Sequence, residues 1–148
     1  MSFAMSRAER EQFLARAHVG VLSLVDSGKP LSVPVWYGYE PGGAVTVVTG
    51  RATRKVRVIG EAGWLSLCVQ DESWPYKYAT ASGPAAVAGP ASHAVQLAMA
   101  ARYLGDEGGE QYMAMVTASG EADEQVVIEM TPQHWLTADY GKPDSHDS

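Results

Sequence analysis

Nine consecutive residues, Thr49-Gly50-Arg51-Ala52-Thr53-Arg54-Lys55-Val56-Arg57, hold the densest chemistry of the chain. Four of its eleven basic side chains fall within the seven positions 51–57, and no acid occurs between Glu40 and Glu61. The apolar run before this segment reads as a strand and the residues after it as a helix, so the cations gather at a strand-to-helix junction. A helix start presents unpaired N–H groups and the positive end of its dipole. With the hydroxyls of Thr49 and Thr53, the Gly50 backbone, and the cations Arg54 and Lys55, the junction offers convergent donors for one phosphate. The bland alternative is a solvated basic helix face.

A second group is aromatic. Pro34-Val35-Trp36-Tyr37 lies on one expected strand, and Trp74, Tyr76 and Tyr78 follow another. Flat apolar side chains of this kind can sandwich a planar ring, or simply fill a core. Other chemistry finds little footing. Ser82-Gly83 and Ser119-Gly120 lack the G-x-S-x-G context of a hydrolase nucleophile, and the glycine patterns of Rossmann and P-loop sites are missing. His18, His93, His134, His146 and Cys68 show no metal-ligand spacing, so no metal site is expected. A phosphate cradle and a ring slot without an evident acid, base or nucleophile suit a protein whose cofactor carries the reactivity.

The elements that must position these groups are short. Ser6 and Glu9 form a capping box ahead of a helix with Phe13 and Leu14 on its apolar face. Strands are expected over 18–25 and 31–39, joined by an Asp26-Ser27-Gly28-Lys29 turn. Pro34 cannot donate to a ladder and places the second strand at an edge or a bulge. A third strand spans 44–49, and Thr53 caps a helix that Gly60 ends. Leu65, Leu67 and Val69 alternate in a fourth strand. Residues 71–75 form a loop before a long strand over 76–87, bent at Gly83-Pro84. Two helices, 93–104 and 110–118, flank Gly108-Gly109, and strands at 126–130 and 135–138 follow. Six or seven antiparallel strands with short helices between them predict a small closed barrel.

The length of 148 residues suits one domain, here 1–140, with a polar and disordered tail over 141–148. Apolar residues make up 46% of the chain and charged ones 19%, which is globular rather than disordered composition. The net charge of −6 divides unevenly: ten of the basic and seven of the acidic side chains precede residue 103, and ten acids with Lys142 follow. That balance opposes nucleic acid as a partner. A single cysteine, no signal-like apolar segment and no membrane-length run predict a cytoplasmic protein away from membranes.

In the order HVGVLSLVDSGKPLSVPVWYGYE, AVTVVTGRATRKVRVIGEAGWLSLCVQD and WPYKYATASGPA, the sequence resembles the FMN-binding split barrels related to pyridoxamine 5′-phosphate oxidase. It is most similar to their actinobacterial flavin/deazaflavin oxidoreductase branch, over residues 6–138. The resemblance implies an α+β fold, a six-stranded antiparallel split barrel, working as a homodimer with cofactors at the interface. It implies FMN or the deazaflavin coenzyme F-420 as cofactor and hydride transfer with a small organic redox substrate. By position, Thr49, Gly50, Thr53, Arg54 and Lys55 match the phosphate site, and Pro34, Val35 and Trp36 the strand along the ring. Trp74, Tyr76 and Lys77 match a loop and strand start near the cofactor, and His134 and Trp135 a contribution from the partner subunit. True pyridoxamine phosphate oxidases continue into a longer C-terminal segment, whereas this chain ends in KPDSHDS; a different substrate is therefore expected. A non-catalytic flavin carrier is the alternative.

Overall fold

In the computed structural model, which describes residues 2–143, the first element forms as its spacing predicts. Ser6 Oγ accepts the Glu9 N–H while the Glu9 carboxylate accepts the Ser6 N–H, closing a capping box ahead of α1 (Arg7–Ala15). Phe13 and Leu14 turn inward. β1 (Gly20–Asp26) and β2 (Lys29–Val35) form a hairpin through Ser27 and Gly28, both at positive φ, the geometry a two-residue hairpin turn requires. β3 (Val45–Gly50) leads into α2 (Arg54–Ala62), then β4 (Trp64–Asp71) and β5 (Lys77–Pro90). α3 (His93–Ala118), a short 3-10 turn, β6 (Gln125–Met130) and β7 (His134–Asp139) complete the chain.

All pairings are antiparallel and the strand path is β2-β1-β4-β5-β6-β3, with β7 also on β5. β6 and β7 lie end to end along one edge of β5, pairing Ala85 with Met130 and Ser82 with His134. Between them, the Thr131 N–H reaches the Pro84 carbonyl and the Gln133 N–H the Ser82 carbonyl. Seven strands thus act as the six positions of a curled half-barrel, with β6–β7 as one interrupted edge. Gly83 makes the interruption possible: a Cβ there would lie 1.8 Å from the Thr131 carbonyl oxygen. For the same reason β5 runs unbroken through Gly83-Pro84, where a bend is expected; the glycine accommodates its neighbour rather than a turn of its own strand.

Other departures have local causes. The second strand ends at Val35 rather than Tyr39, because the Tyr37 N–H and C=O are both taken by the hydroxyl of Tyr103. α2 passes through Gly60 and closes at Gly63, whose φ of 66° supplies the left-handed cap. In α3 the break falls at Gly105, with φ 78° and ψ 172°, and not at Gly108-Gly109. Those two glycines instead let the halves approach: a Cβ on Gly109 would sit 2.9 Å from the Ala101 nitrogen. At the C-terminus, Gly141 packs on Pro75 and the Lys142 ammonium reaches Glu9 at 2.7 Å. The rest of the expected tail, 144–148, lies outside the described residues.

The core fills the barrel with Leu22, Val45, Val47, Leu65, Leu67, Ile128 and Met130, joined by Leu14 from α1 and by Val58 and Ile59 from α2. β4 alternates as its sequence predicts, Leu65, Leu67 and Val69 inside and Cys68 outside opposite Val21 and Thr80. β2 is an edge strand, in accord with Pro34. After the two-residue turn, residues 29, 31, 33 and 35 bond to β1. Residues 30, 32 and 34 then face the free edge; two of them are prolines, so Ser32 is the one N–H donor along it. Only the Gly38–Thr46 bridge, two hydrogen bonds of 2.9 Å, connects the segment after β2 to β3. Beyond it the two edges stay unpaired and leave a rift. No described helix is long and apolar enough to cross a membrane.

Candidate functional site

The rift has two chemically distinct ends. β3 runs from Thr46, beside Gly38, to Gly50, so Thr49 and Gly50 lie at the end remote from the bridge. Thr53 occupies the N-cap of α2 but makes no capping bond; its hydroxyl donates to the Gly50 carbonyl at 2.9 Å. The first N–H groups of α2 therefore lack a side-chain acceptor, and its first turn holds no acid. The cations around it are largely committed. Arg54 donates to Asp26 at 2.7 Å, Arg57 reaches Asp26 at 3.4 Å and Glu61 at 3.7 Å, and Arg51 lies 3.5 Å from Glu124. Among the described residues Lys55 is the one of the four with no carboxylate within 4.0 Å, and it is half-buried. A lone ammonium, free helix N–H groups and the glycine backbone form a donor set that fits a phosphate.

Asp26 was not among the residues that the sequence marked as functional. Its side chain is 7% exposed, and the Arg54 guanidinium holds its carboxyl below the usual range. The sequence signal is slight: an acid at a hairpin turn reads as a turn residue, and only the register of β1 brings it beneath α2.

On the β2 rim, Pro34 lies on the free edge about level with Gly50, Val35 packs on the core, and Trp36 follows just past the strand, nearer the bridge. Trp36 does not face an open slot. Its indole stacks on Tyr103 (4.9 Å, 7° between planes) and meets Tyr112 at 5.6 Å, so the two halves of α3 hold it. The Tyr103 hydroxyl also binds the His18 carbonyl at 2.7 Å, tying the entry to β1 and the exit from β2 to one helix. The two tyrosines fall in the two helices that periodicity predicts, 93–104 and 110–118, with no functional role marked there. A cavity of about 70 Å³ lies between α3 and the barrel, lined by Trp36 and Val48 on one side, Ala100, Tyr112 and Val116 of α3 on the other, and Gln125, which pairs with Gly50.

Tyr37 is buried, and its hydroxyl donates to the Leu14 and Arg16 carbonyls at 2.7 and 2.9 Å; burial pushes its phenol well above the ordinary value. It is core, not slot. Burial also lowers the His18 imidazole, which packs on Phe13 with its Nε2 unpartnered.

Trp74, Tyr76 and Lys77 are not brought to the rift within one chain. Trp74 is 83% exposed in the loop after β4. Tyr76 stacks on Tyr140 and donates to Gln70, and Lys77 borders a cleft of about 440 Å³ with Glu9, Arg16 and Asp139. Trp135 packs on the core of its own chain under Arg10, 4.8 Å from the ring centroid. His134 lies 5.8 Å from Trp64 on the outer face.

The fold has many relatives. A conserved hypothetical protein from Mycobacterium tuberculosis matches with a TM-score of 0.77 at 20% identity, covering 97% of this chain and 92% of that one. An F-420 reductase matches at 0.70 and 22%, covering 85% and 94%. An FAD- and heme-binding protein from Mycobacterium smegmatis matches at 0.69 and 18%, covering 97% and 76%. No curated protein matches the sequence. The pyridoxamine 5′-phosphate oxidase family model aligns with residues 6–139, nearly the whole described chain. The barrel and its rift accordingly place a known architecture around these residues, and the chain belongs to the pyridoxamine 5′-phosphate oxidase family.

Proposed function

We propose that this protein is an oxidoreductase that binds FMN or the deazaflavin coenzyme F-420 in the rift and exchanges a hydride with a small organic substrate. One observation carries the reading: the uncommitted Lys55 and the uncapped start of α2 lie by the turn end of β2, at one end of an unpaired rift that runs on past Pro34 to Trp36. About four strand residues separate Pro34 from the turn end of β2, roughly 13 Å at ~3.3 Å per residue, room for a sugar-alcohol chain between ring and phosphate. The bound ring supplies the hydride chemistry. Lys55 and the α2 N–H groups bind the phosphate. The Pro34 edge lies along the ring, and Trp36, fixed by Tyr103, walls the rift and limits water. The F-420 reductase of the same fold supports the redox assignment.

A second copy of the chain completes the arrangement. The outer face of β1, β4, β5 and β7 carries Val21, Cys68, Thr80 and Leu136 in one row, with Val19, Val25 and Trp64 also exposed. An apolar sheet face of that kind seeks a partner, and a homodimer would bring Trp74, Tyr76 and Lys77 of one protomer towards the rift of the other. The FAD- and heme-binding relative favours carriage without turnover as a second reading.

The test is a visible spectrum of the purified protein with mass analysis of any released ligand, followed by addition of FMN and F-420. Binding of one of them supports the reading; failure of both sinks it. Turnover of the reduced complex on quinones, nitro compounds and enones then separates enzyme from carrier.

A further inference from the structure

We propose that Asp26 sets the charge of the phosphate anchor, so that the rift selects a cofactor whose phosphate is a singly charged diester over one ending in a doubly charged monoester. The inference rests on the proposed rift site and adds to it a residue that decides specificity. Around the start of α2, the four cations Arg51, Arg54, Lys55 and Arg57 meet three carboxylates, Asp26, Glu61 and Glu124. One positive charge is left, at Lys55. The helix N-terminus adds about half a charge more. A phosphodiester carries one negative charge and matches this surplus. A monoester such as that of FMN carries about −1.5 to −2 near neutrality and exceeds it.

The committed arginines are not a free reserve. Arg51 and Arg57 are more than half exposed, and their pairs with Glu124 and Glu61 exchange easily with solvent. Arg54 is different, because its partner Asp26 is 7% exposed. Turning Arg54 onto a phosphate leaves that carboxylate to the neutral Ser27 hydroxyl, at 3.2 Å, and to Arg57 as its one cation, at 3.4 Å. Stripping a buried carboxylate of its close partner is costly, whereas an exposed pair is lost cheaply. A monoester needs this exchange and a diester does not. The deazaflavin coenzyme, whose phosphate joins two organic groups, belongs to the favoured class.

The experiment compares two ligands that differ in that charge and one methyl group, FMN and its methyl diester, riboflavin 5′-(methyl phosphate). Their dissociation constants are read from flavin fluorescence quenching on the full chain. The wild-type protein is expected to bind the diester at least as tightly as FMN. Asp26→Asn is expected to move the affinity ratio about tenfold towards FMN, since the lost charge acts once more on the dianion than on the monoanion. A wild-type preference for FMN of tenfold or more overturns the inference, whether or not the variant folds. So does an unchanged ratio in a folded Asp26→Asn protein. In both cases binding itself leaves the rift assignment intact. If neither these flavins nor F-420 binds, the rift assignment fails, and this inference with it.

Discussion

Lys55 and Tyr37 are polar side chains of opposite kind. Lys55 has donors to spare, and its replacement by alanine should weaken cofactor binding by about 1.5–3 kcal/mol, the range for a charged hydrogen bond, with the melting temperature unchanged. Titration of the variant with the cofactor checks this, and wild-type affinity would put the phosphate elsewhere. Tyr37 has none to spare. Its hydroxyl serves the buried Leu14 carbonyl and the part-buried Arg16 carbonyl where α1 ends, so Tyr37→Phe should cost about 1–3 kcal/mol in denaturant unfolding. The sequence marks both residues as site candidates through aromatic or cationic type. Type cannot tell a ring that faces a ligand from one sealed behind another helix; Trp36 and Tyr37 are adjacent yet belong to different surroundings. Asp26 was illegible for the converse reason, since its partners lie 28 and 31 positions away.

Elements were more legible than their ends. Strands with strict alternation, such as β4, and the capped α1 follow local rules that the sequence states in full. The ends depend on partners. β2 stops where a tyrosine 66 positions on takes its backbone bonds, and the helix break in α3 is at Gly105 because the two halves must fold back on each other. Gly83 is the sharpest case: a bend by local rules, it is in fact the space into which the β6–β7 interruption fits. Gly83→Ala should therefore destabilise the protein by about 3 kcal/mol or more, beyond ordinary overpacking. Gly60→Ala, with open space around its Cβ and a helical backbone, should stabilise by about 0.5–1 kcal/mol. Thermal melts of the two variants give opposite signs if the assignment of close approach is right.

For the molecule as a whole, three groups set the acid limb of stability. The Lys142 ammonium and the Ser6 backbone lower the Glu9 carboxyl from 4.5 to about 2, and Arg54 lowers Asp26 below 3.8. Carboxylates depressed on folding stabilise above their unfolded values, and that contribution is lost as the pH falls through the folded ones. His18 acts earlier. Its folded value lies below 6.5, so the unfolded chain takes up a proton first and stability declines once the pH drops under 6.5. Melting temperatures should be flat between about pH 7 and 9, sag below 6.5 and fall steeply below 4.5, and His18→Gln should remove the sag alone. The proposed association of two copies has its own test. Leu136 is 64% exposed, so Leu136→Glu is tolerated by the isolated fold. Light scattering should then report single chains, and cofactor affinity should drop with them.

The prolines on the rim of the rift bear on the life of the protein before any cofactor reaches it. An unpaired strand edge normally invites another chain to add its own strand, the first step towards aggregates. Here residues 30 and 34 are prolines and Ser32 holds the single donor, so an incoming strand finds almost no ladder to continue. The β2 rim of the open rift is thereby a poor template for a strand from another chain. The same poverty of donors suits the proposed flat ring, which needs surface more than it needs a ladder.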